Sequence, residues 1–266
     1  DIDGSAAVVA AYADRLDVRA VVLPENRGRA AALNAGFAAA TGDVLIRCDD
    51  DLRPHPSFVA NHVRHHEGGA VGVVGACPDV FPDSPYAAAY GRPADSRVRA
   101  RWRQLPAHLR WTAWSANVSI DRETHDRVGR YDEEFAQYGW EDVEWGYRLH
   151  SLGVPIIVAE DVEATHHGPA TTTSQRALKA YDSGISRRAF LEKHPDAAPY
   201  FATAGSNRAS AWGRLVQGTA SRLTTPERVT TLASRVDRVL GRLPRPVAEK
   251  AVALTVEAAG KAGSAK

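Results

Sequence analysis

Over its first 76 residues the chain alternates short apolar, β-branched runs with stretches of helical period, joined by short turns. Residues 18–23, 43–48 and 70–76 read as strands. Residues 5–16 read as a helix that Ser5 can cap, with Val8, Tyr12 and Leu16 at i, i+4 and i+8. Residues 29–40 place Leu33 and Phe37 on one helical face, and Gly42 sits where that helix stops. Residues 56–66 offer Phe58, His62 and Val63 to one side. Strands and helices in this order imply parallel strands covered by helices, the doubly wound α/β class. Such sheets bind ligands in loops beyond the carboxyl ends of their strands.

Composition narrows the function classes. Hydrophobic residues make up 44% and charged residues 24%, which excludes a disordered, collagen-like or disulfide-stapled chain. Lys+Arg total 33 against 32 Asp+Glu, so the balance of +1 indicates no polyanionic partner and no nucleic acid. Cys48 and Cys77 are too few for a thiolate zinc site. No apolar run approaches the roughly 18 residues of a bilayer span, and no signal peptide opens the chain. A cytoplasmic setting follows as the expectation. Met is absent, and the opening Asp1-Ile2-Asp3-Gly4-Ser5 reads like the end of a strand running into a turn. The chain is therefore expected to begin inside a longer fold, with its first strands missing.

Residues 77–112 are less regular, with five prolines and a basic stretch over 97–103. An excursion of this length inside an α/β domain is more often functional than idle. A strand over 113–120, a loop and helix over 139–152, a strand over 154–158 and a helix over 174–194 follow. The domain boundary is placed at 205. Residues 206–266 carry 11 Lys+Arg against 4 Asp+Glu and are broken by Pro226, Pro244 and Pro246 into short helical pieces. Val229, Leu232, Val236, Val239, Leu240 and Leu243 form an apolar stripe at helical spacing. The preferred reading is a helical appendage packed on the main domain. The alternative is a basic amphipathic surface meeting anionic lipid at the inner membrane face.

Four constellations carry chemistry. Asp49-Asp50-Asp51 directly follows a strand. Adjacent carboxylates repel unless a cation or an arginine neutralises them, and hard oxygen ligands suit Mg²⁺ or Mn²⁺ bridging to a diphosphate. The bland alternative is a solvated turn capping the next helix. Residues 139–149 set Trp140 before Glu141 and Asp142 at a predicted helix start, where the dipole keeps Asp142 ionised and able to take a hydroxyl proton. Trp140 offers a flat face for a pyranose ring; Trp145, Leu149 and Leu152 read as core, and simple capping accounts for the two acids otherwise. His166 and His167 supply imidazoles suited to Mn²⁺, against ten histidines overall, of which His62, His65 and His66 look like one helix face. Arg27 and Arg29 at a helix start suit an anion such as diphosphate, although the loop matches no phosphate fingerprint.

The order of these segments is more specific than any one of them. Asp3-Gly4-Ser5, Asn26-Arg27-Gly28 with residues 32–36, Thr41-Gly42-Asp43, the Asp triplet, residues 114–119, residues 129–135 and Gly139-Trp140-Glu141-Asp142 together resemble the family 2 glycosyltransferases of the GT-A fold. The later segment is similar to the carboxyl-terminal half of galactosyltransferases and chondroitin-type polymerases. The resemblance covers about residues 1–200. It implies a Rossmann-like, mostly parallel sheet flanked by helices and a metal-dependent transferase that inverts the anomeric centre. Its substrates would be a nucleotide-sugar donor and a glycan or lipid-linked acceptor. By position, Asp49 and Asp51 fill the DxD places for metal and donor diphosphate, with Asp51 preferred as the direct ligand. Asp142 fills the general base. Trp140, Glu141 and Asn117 fall on the acceptor side, and Arg29 and Asp3 on the donor side, Asp3 near the base-recognition carboxylate. His166, or alternatively His167, fills the late histidine of the metal shell, holding Mn²⁺ or Mg²⁺. The tail beyond about 206 matches no part of that family. Two rival readings stand beside it: a sugar nucleotidyltransferase, and a non-catalytic carbohydrate-binding relic.

Overall fold

A computed structural model of the chain describes residues 4–135, 138–201 and 210–266. Its main sheet has four strands in the order β1 (Val44–Cys48), β4 (Asn117–Asp121), β3 (Gly72–Gly75) and β5 (Ile156–Ala159). β4 pairs antiparallel with both β1 and β3, whereas β3 and β5 pair parallel. Three of the four strands therefore run one way, as the α/β pattern predicts, and β4 runs against them between two of them. The apolar runs of β3 and β4 are buried because the sheet is covered on both faces.

Helices α2 (Gly28–Ala39), α3 (Phe58–His65), α5 (Arg122–Val128), α6 (Glu141–Ser151) and α7 (Thr173–Lys193) fall where the periodicity puts them, α5 excepted, which had no clear apolar stripe. Asp121 caps α5 by accepting from the Thr124 amide. The main core joins Leu45, Val74, Val118 and Ile120 of the sheet to Trp111, Trp114, Trp145, Leu149 and Phe190. Leu152, expected with them, is exposed because α6 ends one residue earlier.

Two expectations need correction near the start. Residues 18–23 form no strand: among the described residues none pairs with them, and Val21 and Val22 are exposed. A β-branched run becomes a strand only where another edge completes its ladder. The first helix, α1, spans only Ser5–Ala10, and Val8, Tyr12 and Leu16 are exposed rather than packed. The irregular excursion is also more ordered than its prolines suggest. A π-helical turn over Ala87–Gly91 leads into α4 (Arg92–Arg103), with Pro93 in the first turn, where a missing N–H costs nothing.

Beyond the main domain, α9 (Pro226–Leu240) and α10 (Arg245–Gly263) pack on α7, and α8 (Ala211–Ala220) packs on α10. They share a second core with Tyr86, Ala177 and Tyr181, in which Val229 and Leu240 of the predicted stripe are buried and Val239 is exposed. Contact between α7 and α10 is close enough that a Cβ at Gly184 or Gly263 would strike the opposing backbone. Among the described residues no helix is long and apolar enough to cross a membrane.

Candidate active site

The acidic triplet lies just past the carboxyl end of β1, and a second small sheet fixes what faces it. β2 (Leu52–Pro54) pairs antiparallel with β6 (Ala164–His166), with Leu52 opposite His166. His166 is held on its other side by backbone bonds to Pro78 and Val80. Its Nε2 thus lies 3.1 Å from Asp51 Oδ2, while Nδ1 is 2.6 Å from Asp79 Oδ1. Hydrogen bonding to Asp79 pushes the His166 imidazole up, against the lowering effect of burial. His167 instead turns its ring toward Thr165 Oγ1, at 3.1 Å. A side chain at 168 would collide with the Asp51 carboxylate, so Gly168 leaves that carboxylate its space. The acids do not cap α3, whose capping position is Ser57.

The three acidic neighbours of the strand end differ in environment. Asp50 is exposed. Asp49 receives a fork from Arg47, Nε to Oδ1 at 2.7 Å and Nη2 to Oδ2 at 3.1 Å. Arg47 is only 5% exposed, and its remaining nitrogen, Nη1, donates to Asp142 Oδ1. One buried guanidinium therefore ties the loop of Asp49 to Asp51 to the start of α6. Tyr131, also buried, accepts the indole N–H of Trp114 at 3.0 Å, and burial pushes its hydroxyl pKa up against the charge of Arg47.

Asp142 does not behave as a simple capping acid. Burial pushes its carboxyl up to about 6, with the charge of Arg47 pulling down and that of Glu141 pushing up. A carboxyl near that value is better matched to accepting a proton at neutral pH than an ordinary one. Among the described residues no hydrogen bond engages Oδ2. The residue before Glu141, Trp140, has φ 77°, the left-handed region, the sole non-glycine residue with positive φ among those described. Strain of this kind persists where surrounding packing over-determines it. Here the Trp140 indole packs on Phe190 and Phe201, and its N–H donates to Ser183 Oγ at 3.0 Å.

The remaining assignments divide. Glu141 is 1% exposed and accepts from Arg29 Nη1 at 2.6 Å, so a residue expected on the acceptor side and one expected on the donor side bind each other. Its Oε2 is buried without a hydrogen-bond partner among the described residues. Arg27 is likewise paired, to Glu133 at 2.7 Å. Asn117 is a correction. It is 0% exposed, donates to Val162 O at 2.8 Å and lies 3.1 Å from His62 Nε2, so its amide is spent in the core and reaches no acceptor. His62 is likewise core rather than surface, 2.8 Å from Ser119 Oγ. Asp3 lies outside the described residues. The sequence reading missed Arg47 and Asp79. A lone cation inside the apolar run of β1 was a usable signal for Arg47. Asp79 had none, because its approach to His166 depends on the 77–80 segment lying beside β6.

Residues 1–123 match the family described as Glycosyl transferase family 2. The validoxylamine A glucosyltransferase of Streptomyces hygroscopicus subsp. jinggangensis is 31% identical over 231 residues, covering 76% of this chain and 53% of that protein. The hyaluronan synthase of Pasteurella multocida is 26% identical over 197 residues, covering 61% of this chain and 20% of that protein. The chain thus spans about half the length of the validoxylamine glucosyltransferases it matches. Among solved structures, a mannosyltransferase from Pyrobaculum calidifontis in complex with GDP-Man and Mn²⁺ aligns with a TM-score of 0.54 at 18% identity. The alignment covers 98% of this chain and 74% of that one. That likeness establishes the GT-A fold.

Proposed function

The chain belongs to glycosyl transferase family 2 through its first 123 residues, and on that premise we propose that it is a metal-dependent, inverting glycosyltransferase. Its donor is a nucleotide sugar and its acceptor a hydroxyl on a glycan or lipid-linked saccharide. The observation that carries this reading is the convergence at one sheet edge of two groups. Asp51 and His166 meet at 3.1 Å, and Arg47 joins Asp49 to Asp142 beside them.

Asp51 and His166 fit Mn²⁺ or Mg²⁺. The Asp51 carboxylate suits either ion, the His166 imidazole favours Mn²⁺ over Mg²⁺, and a carboxylate on the far nitrogen of a ligating histidine, as Asp79 is here, fixes the ring and raises its basicity. Among the described residues no third ligating side chain joins the cluster. A divalent cation held by Asp51 and His166 would offset the charge that gathers on a departing nucleoside diphosphate. The mannosyltransferase of similar fold, solved with GDP-Man and Mn²⁺, supports both donor class and metal.

Asp142 takes the proton of the acceptor hydroxyl through Oδ2, the oxygen that Arg47 leaves free. The acceptor oxygen attacks the anomeric carbon as the bond to the diphosphate breaks, which inverts the configuration there. Arg47 holds Oδ1, so the free oxygen keeps its aim. Arg29 keeps Glu141 folded into the same wall. Binding of the base of the donor by Asp3 completes the reading.

Release of nucleoside diphosphate from a panel of nucleotide sugars tests it. Chelator should abolish release and Mn²⁺ should restore it, with product of inverted anomeric configuration by NMR. Full turnover in chelator sinks the metal reading. Pyrophosphate release instead supports a nucleotidyltransferase, and saccharide binding without turnover of any donor supports the non-catalytic reading.

A further inference from the structure

Next to Trp140 opens a cleft of about 1190 Å³, walled by α7 on one side and by α8 and α10 on the other. Two aromatic residues line its mouth, Tyr138 and Trp140, and Trp140 stands two residues before Asp142. Asp49, Asp51 and Asp142 do not themselves line it, and the cleft adjoins the start of α6 through Trp140.

The charges in the cleft are one-sided. Arg176, Arg187 and Lys261 line it, each half-buried. Among the described residues none of the three makes an ion pair. Arg187 has only the face of Phe201, 5.2 Å from its guanidinium carbon. The carboxylate side chain lining the cleft, Glu257, accepts the Trp212 indole N–H at 2.9 Å. Elsewhere the half-buried Arg99 and Arg148 pair with Asp95 and Glu144, while Arg110 and Arg122 donate to backbone carbonyls. Burying a cation without a counter-charge is costly, and burial does push the Arg187 guanidinium down. Cations left in that state are prepared for a ligand that brings negative charge.

We propose that this cleft binds the acceptor saccharide through an anionic substituent, a carboxylate or phosphate, held by Arg176 and Arg187. The proposal rests on the transferase reading of Asp142 and adds the acceptor's charge class to it. It also gives the carboxyl-terminal helices a role, since α8 and α10 form one wall. An inset cleft rather than a projecting basic face favours a saccharide over a membrane surface.

Calorimetry on the full chain tests this with three probes: a glucuronate-containing disaccharide, glucose 6-phosphate, and neutral cellobiose. At least one anionic probe should bind about tenfold or more tightly than cellobiose, as charge-assisted hydrogen bonds require. Arg176→Gln and Arg187→Gln should each reduce that preference by about tenfold. Arg188→Gln, whose native side chain is exposed and paired with Glu192 at 2.7 Å, should leave it intact. No anionic preference in the wild type, or a preference that survives the double variant, overturns the proposal. So does binding to phosphatidylserine vesicles that the double variant loses, if anionic saccharides show no preference. Nucleoside diphosphate release by the wild type separates the two readings. Release without anionic preference removes only the cleft assignment, and preference without release removes the transferase.

Discussion

Arg47 decides more than any acidic residue near it. It is buried, carries a permanent charge and divides that charge between Asp49 and Asp142. Arg47→Met would leave two carboxylates facing each other without their cation. Breaking such a buried pair costs about 3–5 kcal/mol, which a urea titration would show. Arg47 also lowers the Asp142 carboxyl. Turnover should fall as pH drops through about 6 in the wild type, because the base must be ionised, and that acid limb should move to higher pH in Arg47→Met. An unmoved limb would mean that Asp142 is not the titrating group. Asp142→Asn keeps the shape and leaves Arg47 paired with Asp49, so the fold should survive while transfer drops by roughly 10²-fold or more. Near-normal transfer by that variant would shift the base to another group.

Among the elements, the β2–β6 pair and helix α3 show how backbone register places chemistry. Asp51 precedes β2 by one residue and His166 ends β6, so a ladder of three residue pairs brings together groups 115 positions apart. α3 does the opposite, sinking a histidine into the core. Burial pushes His62 down to about 4, while the unfolded side chain keeps its ordinary 6.5. The unfolded state binds more protons between those values, so stability conferred by neutral His62 is lost as pH falls from 6.5 toward 4. Urea midpoints at pH 7 and pH 5 should differ more in the wild type than in His62→Gln. The α7–α10 contact has its own test. Gly184→Ala places a Cβ against the Gly260 backbone and should destabilise by about 1–3 kcal/mol, read from thermal unfolding.

For the whole molecule, the carboxyl-terminal helices are tied to the main domain through α7. α9 and α10 bury Val229, Ala233, Leu240, Val252, Ala258 and Ala259 against α7, and α7 also carries Phe190 of the main core. One long helix thus belongs to both cores. Removing residues 210–266 would strip one face of α7 and expose Ala177 and Tyr181. Loss of cooperative unfolding is therefore expected, rather than a stable domain that has merely lost lipid binding. A truncated chain with an unchanged melting temperature would show the two cores to be independent.

Local pattern carried much of this. Helices α2, α3, α6 and α7 and strands β1 and β3 were readable because one face of each is apolar at its own period, and that face must be buried wherever the chain packs. The Asp triplet and Trp140-Glu141-Asp142 were readable because charged residues cluster at the ends of those elements. What pattern could not carry was pairing. The failed strand at 18–23, the spent amide of Asn117 and the Arg29–Glu141 bond each depend on which distant group lies opposite. So do the choice of His166 over His167 beside Asp51 and the union of Asp49 with Asp142 through Arg47. A propensity belongs to a few neighbouring residues, whereas a ladder, a buried ion pair or a cleft wall is a property of two segments that only the folded chain brings together.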